Sequence, residues 1–190
     1  MRTRILSAML TTASGLCITG CLPKMTPEEL GSFERVRPVE LERLDMLLGR
    51  WETTGEVNMA VLDGVVHTSG TNEAKWSLDR RMVVDQAELD MGPLGKLTGF
   101  TIWTWDEAIG KYRMWWFDSM GEFSQGIVTY DESKKQWRIK TSGSKYGYNT
   151  SGRGTIRQID KDTLEWTWRE GDGWGLMTFA DMHGVSTRRK

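Results

Sequence analysis

FTIWTWDEAIGKYRMWWFDSMG, residues 100–121, places two apolar-rich runs on either side of a short Glu-Ala-Ile-Gly break. Runs of β-formers separated by turn residues read as a hairpin. A four-residue loop at 107–110 sets Trp105 opposite Tyr112 and Trp103 opposite Met114. Successive side chains point to opposite faces of a strand, so Trp103, Trp105, Tyr112, Trp116 and Asp118 share one face. Phe100, Ile102, Trp115 and Phe117 share the other. A hairpin apolar on both faces needs a second cover besides the core. The expected cover is the amphipathic segment before Gly49, with a partner subunit or a lipid surface as the alternatives.

The same grammar extends on both sides of the hairpin. Strands are expected at 50–57, 66–78, 82–88, 99–106, 111–119, 122–130, 136–141, 152–159, 163–169 and 175–182. Most links are short, which suits antiparallel neighbours and leaves no room for crossover helices. About ten hairpin-linked strands must close on themselves or leave long edges exposed, and closure removes the edges. The predicted fold is therefore all-β, an antiparallel up-and-down β-barrel of about ten strands with a short N-terminal helix. Period two assigns Trp137, Ile139 and Thr141 to the interior, and with them Leu164, Trp166 and Trp168.

Ahead of the strands, Leu41, Leu44 and Leu48 predict a helix over 39–48 that ends at Gly49. Thr26-Pro27-Glu28-Glu29 has the form of an N-cap, a proline at the first helical position and a capping-box glutamate. The first residues read differently. Arg2 and Arg4 precede an acid-free apolar run from Ile5 to Ile18, then Thr19, Gly20 and Cys21. A positive start, an apolar middle and small residues before a cut describe a secretory leader. The run is shorter than the ~20 residues that a spanning helix needs. Residues 1–20 are thus expected to be a signal peptide, 21–38 a tether and 39–190 the barrel domain.

The two cysteines, Cys17 and Cys21, both lie in this opening. If the leader is removed, the mature domain has no free thiol for catalysis or cysteine-based metal binding. The 25 Lys and Arg against 26 Asp and Glu give no electrostatic reason to expect nucleic acid. All ten tryptophans lie beyond residue 50. Each brings a large apolar area and an N–H that needs a partner when buried, which suits a thick core or an aromatic pocket.

Three resemblances refine these expectations. Ile18-Thr19-Gly20-Cys21 resembles the lipobox of bacterial lipoproteins, which implies a lipid anchor on Cys21. Leu22 after the cysteine implies the outer membrane, facing the periplasm, rather than inner-membrane retention. LLGRWETTGEV, residues 47–57, is similar to the Gly-x-Trp opening of lipocalin-like (calycin) barrels. WDEAIGKYRMWWFDSMGEFSQGIVTYD, residues 105–131, resembles a bacterial family of uncharacterised lipocalin-like barrels. There Trp105 stands where a tyrosine is usual. That family resemblance implies the fold and no settled activity.

Candidate chemistry is sparse. No Gly-x-Ser-x-Gly elbow occurs, and His67 and His183 are isolated from any local His/Asp/Glu pattern that would hold zinc. A distant barrel relative, nitrobindin, binds haem through a C-terminal histidine, but the motif around His183 does not match it. Asp118 shares a face with Trp103, Trp105 and Trp116, where desolvation would suit it to acid–base work. The simpler reading is that it caps the turn at Ser119-Met120-Gly121. No catalytic residue, metal ligand or cofactor is assigned. The expected ligand-binding set is Trp103, Trp105, Tyr112, Trp116, Asp118, Trp166 and Trp168, for a small apolar or aromatic ligand. A homodimer or an envelope protein would be the partner for the outer apolar face.

Overall fold

The computed structural model describes residues 24–31 and 36–190. The expected leader, Cys17 and the anchoring Cys21 lie outside the described residues. Two compact units are present, divided after Val36. In the first, helix α1 (Pro27–Gly31) opens with the expected capping box. The Thr26 amide donates to Glu29 Oε2 at 2.8 Å, and the Glu29 amide donates to Thr26 Oγ1 at 3.1 Å.

The second unit is a closed barrel of ten antiparallel strands, each paired with its sequence neighbours. They are β1 (Gly49–Met59), β2 (Val65–Ser77), β3 (Met82–Asp90), β4 (Lys96–Asp106), β5 (Lys111–Asp118), β6 (Phe123–Asp131), β7 (Gln136–Lys145), β8 (Tyr148–Asp160), β9 (Thr163–Asp172) and β10 (Thr178–Arg188). The ring closes where β1 meets β10, with Trp51 opposite Arg188 and Val57 opposite Met182. The hairpin register holds as read from sequence, with Trp105 opposite Tyr112 and Trp103 opposite Met114.

The last four strands are longer than expected. Residues 142–151, expected as a loop, continue β7 and β8, leaving only Tyr146 and Gly147 at the turn. Gly143 fits a strand here because the neighbouring strand, at the Phe123 carbonyl and Ser124, occupies the space a Cβ would need. The final strand is also displaced from the expected 175–182, running Thr178–Arg188.

The segment before β1 is a 3-10 helix, Val39–Leu47, and it does not cover the outer wall. It enters one end of the barrel and plugs it. Three residues per turn stack positions i, i+3 and i+6 on one edge, and these are Leu41, Leu44 and Leu47, all buried. Leu48, expected on the apolar face, is instead the extended C-cap that leads into β1. The leucines pack against Trp51, Val83, Trp103, Tyr112 and Trp137 from the wall.

Polar atoms of the wall find their partners on the plug. Trp51 Nε1 donates to the Leu47 carbonyl at 2.9 Å, and Trp76 Nε1 donates to Asp45 Oδ1 at 2.8 Å. Trp137 Nε1 points to Met46 Sδ at 3.1 Å. Buried donors left unpaired are costly, so the indoles and the plug fix each other's position. Arg188 completes the seal, its guanidinium over the Trp51 ring at 4.1 Å and bonded to the Leu48 carbonyl.

Candidate functional site

The pairing register sorts every strand into inward and outward residues, and the inward set divides along the barrel axis. At the plugged end Trp51, Trp103, Tyr112 and Trp137 are buried in the core. Tyr112 meets Trp137 edge to face at 4.7 Å and 90°, Trp105 meets Tyr112 at 4.8 Å, and Trp103 lies tilted to Trp137 at 6.3 Å. Toward the other end, the mouth, Trp116, Trp166 and Trp168 also point inward but remain partly exposed. Water therefore reaches aromatic surface on the inside of a closed wall.

These three rings lie against backbone. A Cβ on Gly99 would come within 2.2 Å of the Trp116 ring, and one on Gly184 within 2.4 Å of Trp166. Glycine at these inner positions lets each indole lie flat along the wall instead of standing into the lumen. Trp166 Nε1 also donates to Thr53 Oγ1 at 3.2 Å.

Polar groups in the open half are mostly paired. Asp85 faces inward between Ala74 and Thr101, and Asn72 Nδ2 donates to its Oδ1 at 2.8 Å. Burial raises the Asp85 carboxyl above its ordinary pKa, and the Asn72 bond offsets only part of that. At the mouth, Lys145 Nζ lies 2.9 Å from Glu122 and 3.7 Å from Glu170. Both glutamates are buried. Burial, then repulsion from Glu122, raises the Glu170 pKa. Burial opposes the Lys145 charge, but the bond to Glu122 and its two carboxylate neighbours hold its pKa up.

Asp118 sits at the same mouth as a turn cap. Its Oδ1 accepts the Met120 amide at 2.9 Å and the Glu122 amide at 3.0 Å, and Trp116 Nε1 donates to Oδ2 at 3.2 Å. Both oxygens are engaged, so the capping reading accounts for this residue. His67 and His183 turn outward on either side of Glu56, at 3.6 and 3.5 Å. Among the described residues, no group of three His, Cys, Asp or Glu is arranged to hold a metal. Two clefts lie on the outer wall, one of about 300 Å³ beside Arg50, Glu73 and Arg189, the other of about 620 Å³ beside Trp115 and Gln125.

Of the sequence-derived set, the structure brings Trp116, Asp118, Trp166 and Trp168 to the open half. Trp103 and Tyr112 are core, Trp105 packs against that core at the plugged end, and Trp116 and Trp168 pack against it from the open side. Sequence reasoning passed over Asp85. The available signal was an acid occupying an inward slot of the alternating run Val83, Asp85, Ala87.

A protein family of unknown function, DUF1579, matches residues 39–177, a span covering the plug and nearly all of the wall. The chain belongs to the DUF1579 family. Its barrel is similar in fold to Rv2717c from M. tuberculosis, with a TM-score of 0.64 and 13% identity over 82% of this chain and 100% of the other. It is also similar to the S-type phycobiliprotein lyase CPES from Guillardia theta, with a TM-score of 0.53 and 10% identity over 82% and 94%. Comparison with curated proteins returned no match. These likenesses place the DUF1579 chain among lipocalin-like barrels.

Proposed function

We propose that this chain is a lipid-anchored envelope protein whose barrel binds a small, largely apolar or aromatic ligand in the open half of its lumen. One observation supports binding above the rest. Trp116, Trp166 and Trp168 stay accessible on the inner wall, while Trp51, Trp103 and Trp137 of the same wall are buried. Covering aromatic surface releases roughly 25 cal/mol per Å² of apolar area removed from water. Ligand sites combine such walls with a few placed polar groups, and here the Asn72–Asp85 pair supplies them. Titration with the neutral fluorophore N-phenyl-1-naphthylamine tests the reading. Saturable quenching of tryptophan emission is the expected result, and a linear, unsaturating response rejects it.

The anchor and the outer-membrane location rest on the leader pattern and Ile18–Cys21. Two or more acyl chains on the mature N-terminus hold a protein stably at a bilayer. Intact mass of the membrane-extracted protein should show an N-terminus at Cys21 with added acyl mass, and Cys21→Ser should release the protein into the soluble fraction. An unacylated full-length chain in cells overturns this part.

A second reading, contact with a protein partner or a second copy, is favoured by the outer wall. Phe100, Phe117 and Phe123 are each more than a third exposed there, and the Phe117 and Phe123 rings lie 5.3 Å apart. Sedimentation that is concentration-dependent in the wild type and monomeric in a Phe100→Ser, Phe117→Ser double variant would support it. A wild type that is monomeric at every concentration, with no partner crosslinked in membranes, would count against it.

A further inference from the structure

The inward residues of the open half carry an uneven set of charges. The register points Asp85, Asp118, Glu122, Glu170 and Asp172 into this half, and Lys145 is the one lysine or arginine among the described residues that joins them. Lys145 is shared between Glu122 and Glu170, close to the first and looser to the second. Asp118 and Asp172 each accept backbone amides at their turns. Glu170 is therefore a buried carboxylate with half a counter-ion, and burial and its neighbours already push its proton affinity up.

A second feature lies one step inside this ring. Ser124 is 2% exposed and faces inward between Trp116 of β5 and Gly143 of β7. Its Oγ has no hydrogen-bond partner. Buried hydroxyls are nearly always paired, so an unpaired one on the inward side of the wall marks a place for a ligand polar group. Along the chain it is two residues from Glu122, just before β6, and Gly143 is two residues from Lys145 along β7. The unpaired hydroxyl and the under-neutralised carboxylates thus face one region beside the accessible Trp116 ring.

Resting on the lumen-binding reading, we infer that the natural ligand is a protonated amine on an apolar or aromatic body, its ammonium held by Glu170, Glu122 and Ser124 and its body against Trp116, Trp166 and Trp168. An ammonium supplies the missing positive charge and offers N–H donors to the serine oxygen and the carboxylates. The indole faces attract cations in addition to apolar groups. A ligand carboxylate would meet an interior already rich in negative charge, and desolvating like charges together is strongly unfavourable.

Three probes sharing one body separate these cases: 4-phenylbutylamine, 4-phenylbutan-1-ol and 4-phenylbutanoate. Each is titrated into the full chain near neutral pH, read by tryptophan fluorescence and by calorimetry. The amine is expected to bind about tenfold or more tighter than the alcohol, with no saturable binding of the carboxylate. Glu170→Gln should weaken the amine more than the alcohol, so that the two affinities converge. Ser124→Ala, which removes no buried charge and is the safer variant for folding, should weaken the amine several-fold. Equal binding of amine and alcohol, or tighter binding of the carboxylate, overturns the charge assignment and leaves the lumen reading standing. Failure of all three probes, with unsaturating naphthylamine, overturns both.

Discussion

The Tyr112 hydroxyl donates to the Glu40 carbonyl at 2.7 Å, so the barrel wall holds the plug by a backbone atom. Tyr112 is otherwise packed in the core against Trp105 and Trp137. Tyr112→Phe keeps the ring and removes the hydroxyl, which faces both the Glu40 carbonyl and the Arg43 guanidinium. A loss of about 1–2 kcal/mol in urea unfolding is expected. An unchanged midpoint would show that this hydroxyl does not help to seat the plug.

Leu44 is fully buried at the centre of the plug. Leu44→Ala should cost about 2–5 kcal/mol, the range for removing a core leucine. Val39→Ala, at an exposed position of the same helix, should stay within about 0.5 kcal/mol. Similar effects at the two positions would mean that the helix does not insert its leucine edge.

Gly99 gives Trp116 room to lie against the wall. Gly99→Ala forces that indole toward the lumen, since a Cβ would overlap the ring. A cost of about 1–3 kcal/mol is expected, together with a shifted Trp116 emission and weaker naphthylamine binding. Retained affinity with reduced stability would separate the wall's packing from its binding surface.

The raised Asp85 pKa gives a signed pH dependence. The folded state holds this proton more tightly than the unfolded chain. The group therefore costs no stability below the ordinary carboxylate range, and costs progressively more as pH rises through that range to the folded value. Asp85→Asn removes the ionisation and keeps an acceptor for Asn72. The stability gained by the variant should grow with rising pH and then level off, as followed by unfolding at a series of pH values. A variant less stable than wild type at neutral pH would contradict the desolvation account.

Leu78, Asp79 and Arg80 turn from β2 to β3 with positive φ, 47°, 53° and 60°. Left-handed backbone is disfavoured for residues with a Cβ. Asp79 is exposed, and Asp79→Gly should raise stability by several tenths to about 1 kcal/mol. A destabilised variant would indicate that the aspartate side chain supports the turn.

Legibility in the sequence followed the reach of each signal. The pairing of Trp105 with Tyr112 and the inward phase of Trp137, Ile139, Trp166 and Trp168 depend on local alternation, and the strands keep it. The plug depends on the width of a lumen that only all ten strands define, so its leucines looked like cover for a flat face. The strand ends around Gly143 looked like loop because the space beside that glycine is filled by Phe123 and Ser124 of the neighbouring strand. Asp85 stands singly between Val83 and Ala87, and nothing local marks it beyond its inward slot. The Lys145, Glu122 and Glu170 group joins residues from three separate segments, and no spacing rule predicts it.

The seam between β1 and β10 has a temporal consequence. Trp51 and Arg188 are neighbours in space, yet nearly the whole ribbon separates them in synthesis. Until β10 has been made, the indole and the plug carbonyls lack their guanidinium clasp, and the cylinder is a curled sheet with two raw margins. Contacts so distant along the chain form slowly, so a nascent copy is most open to misjoining with another copy just before its last strand arrives.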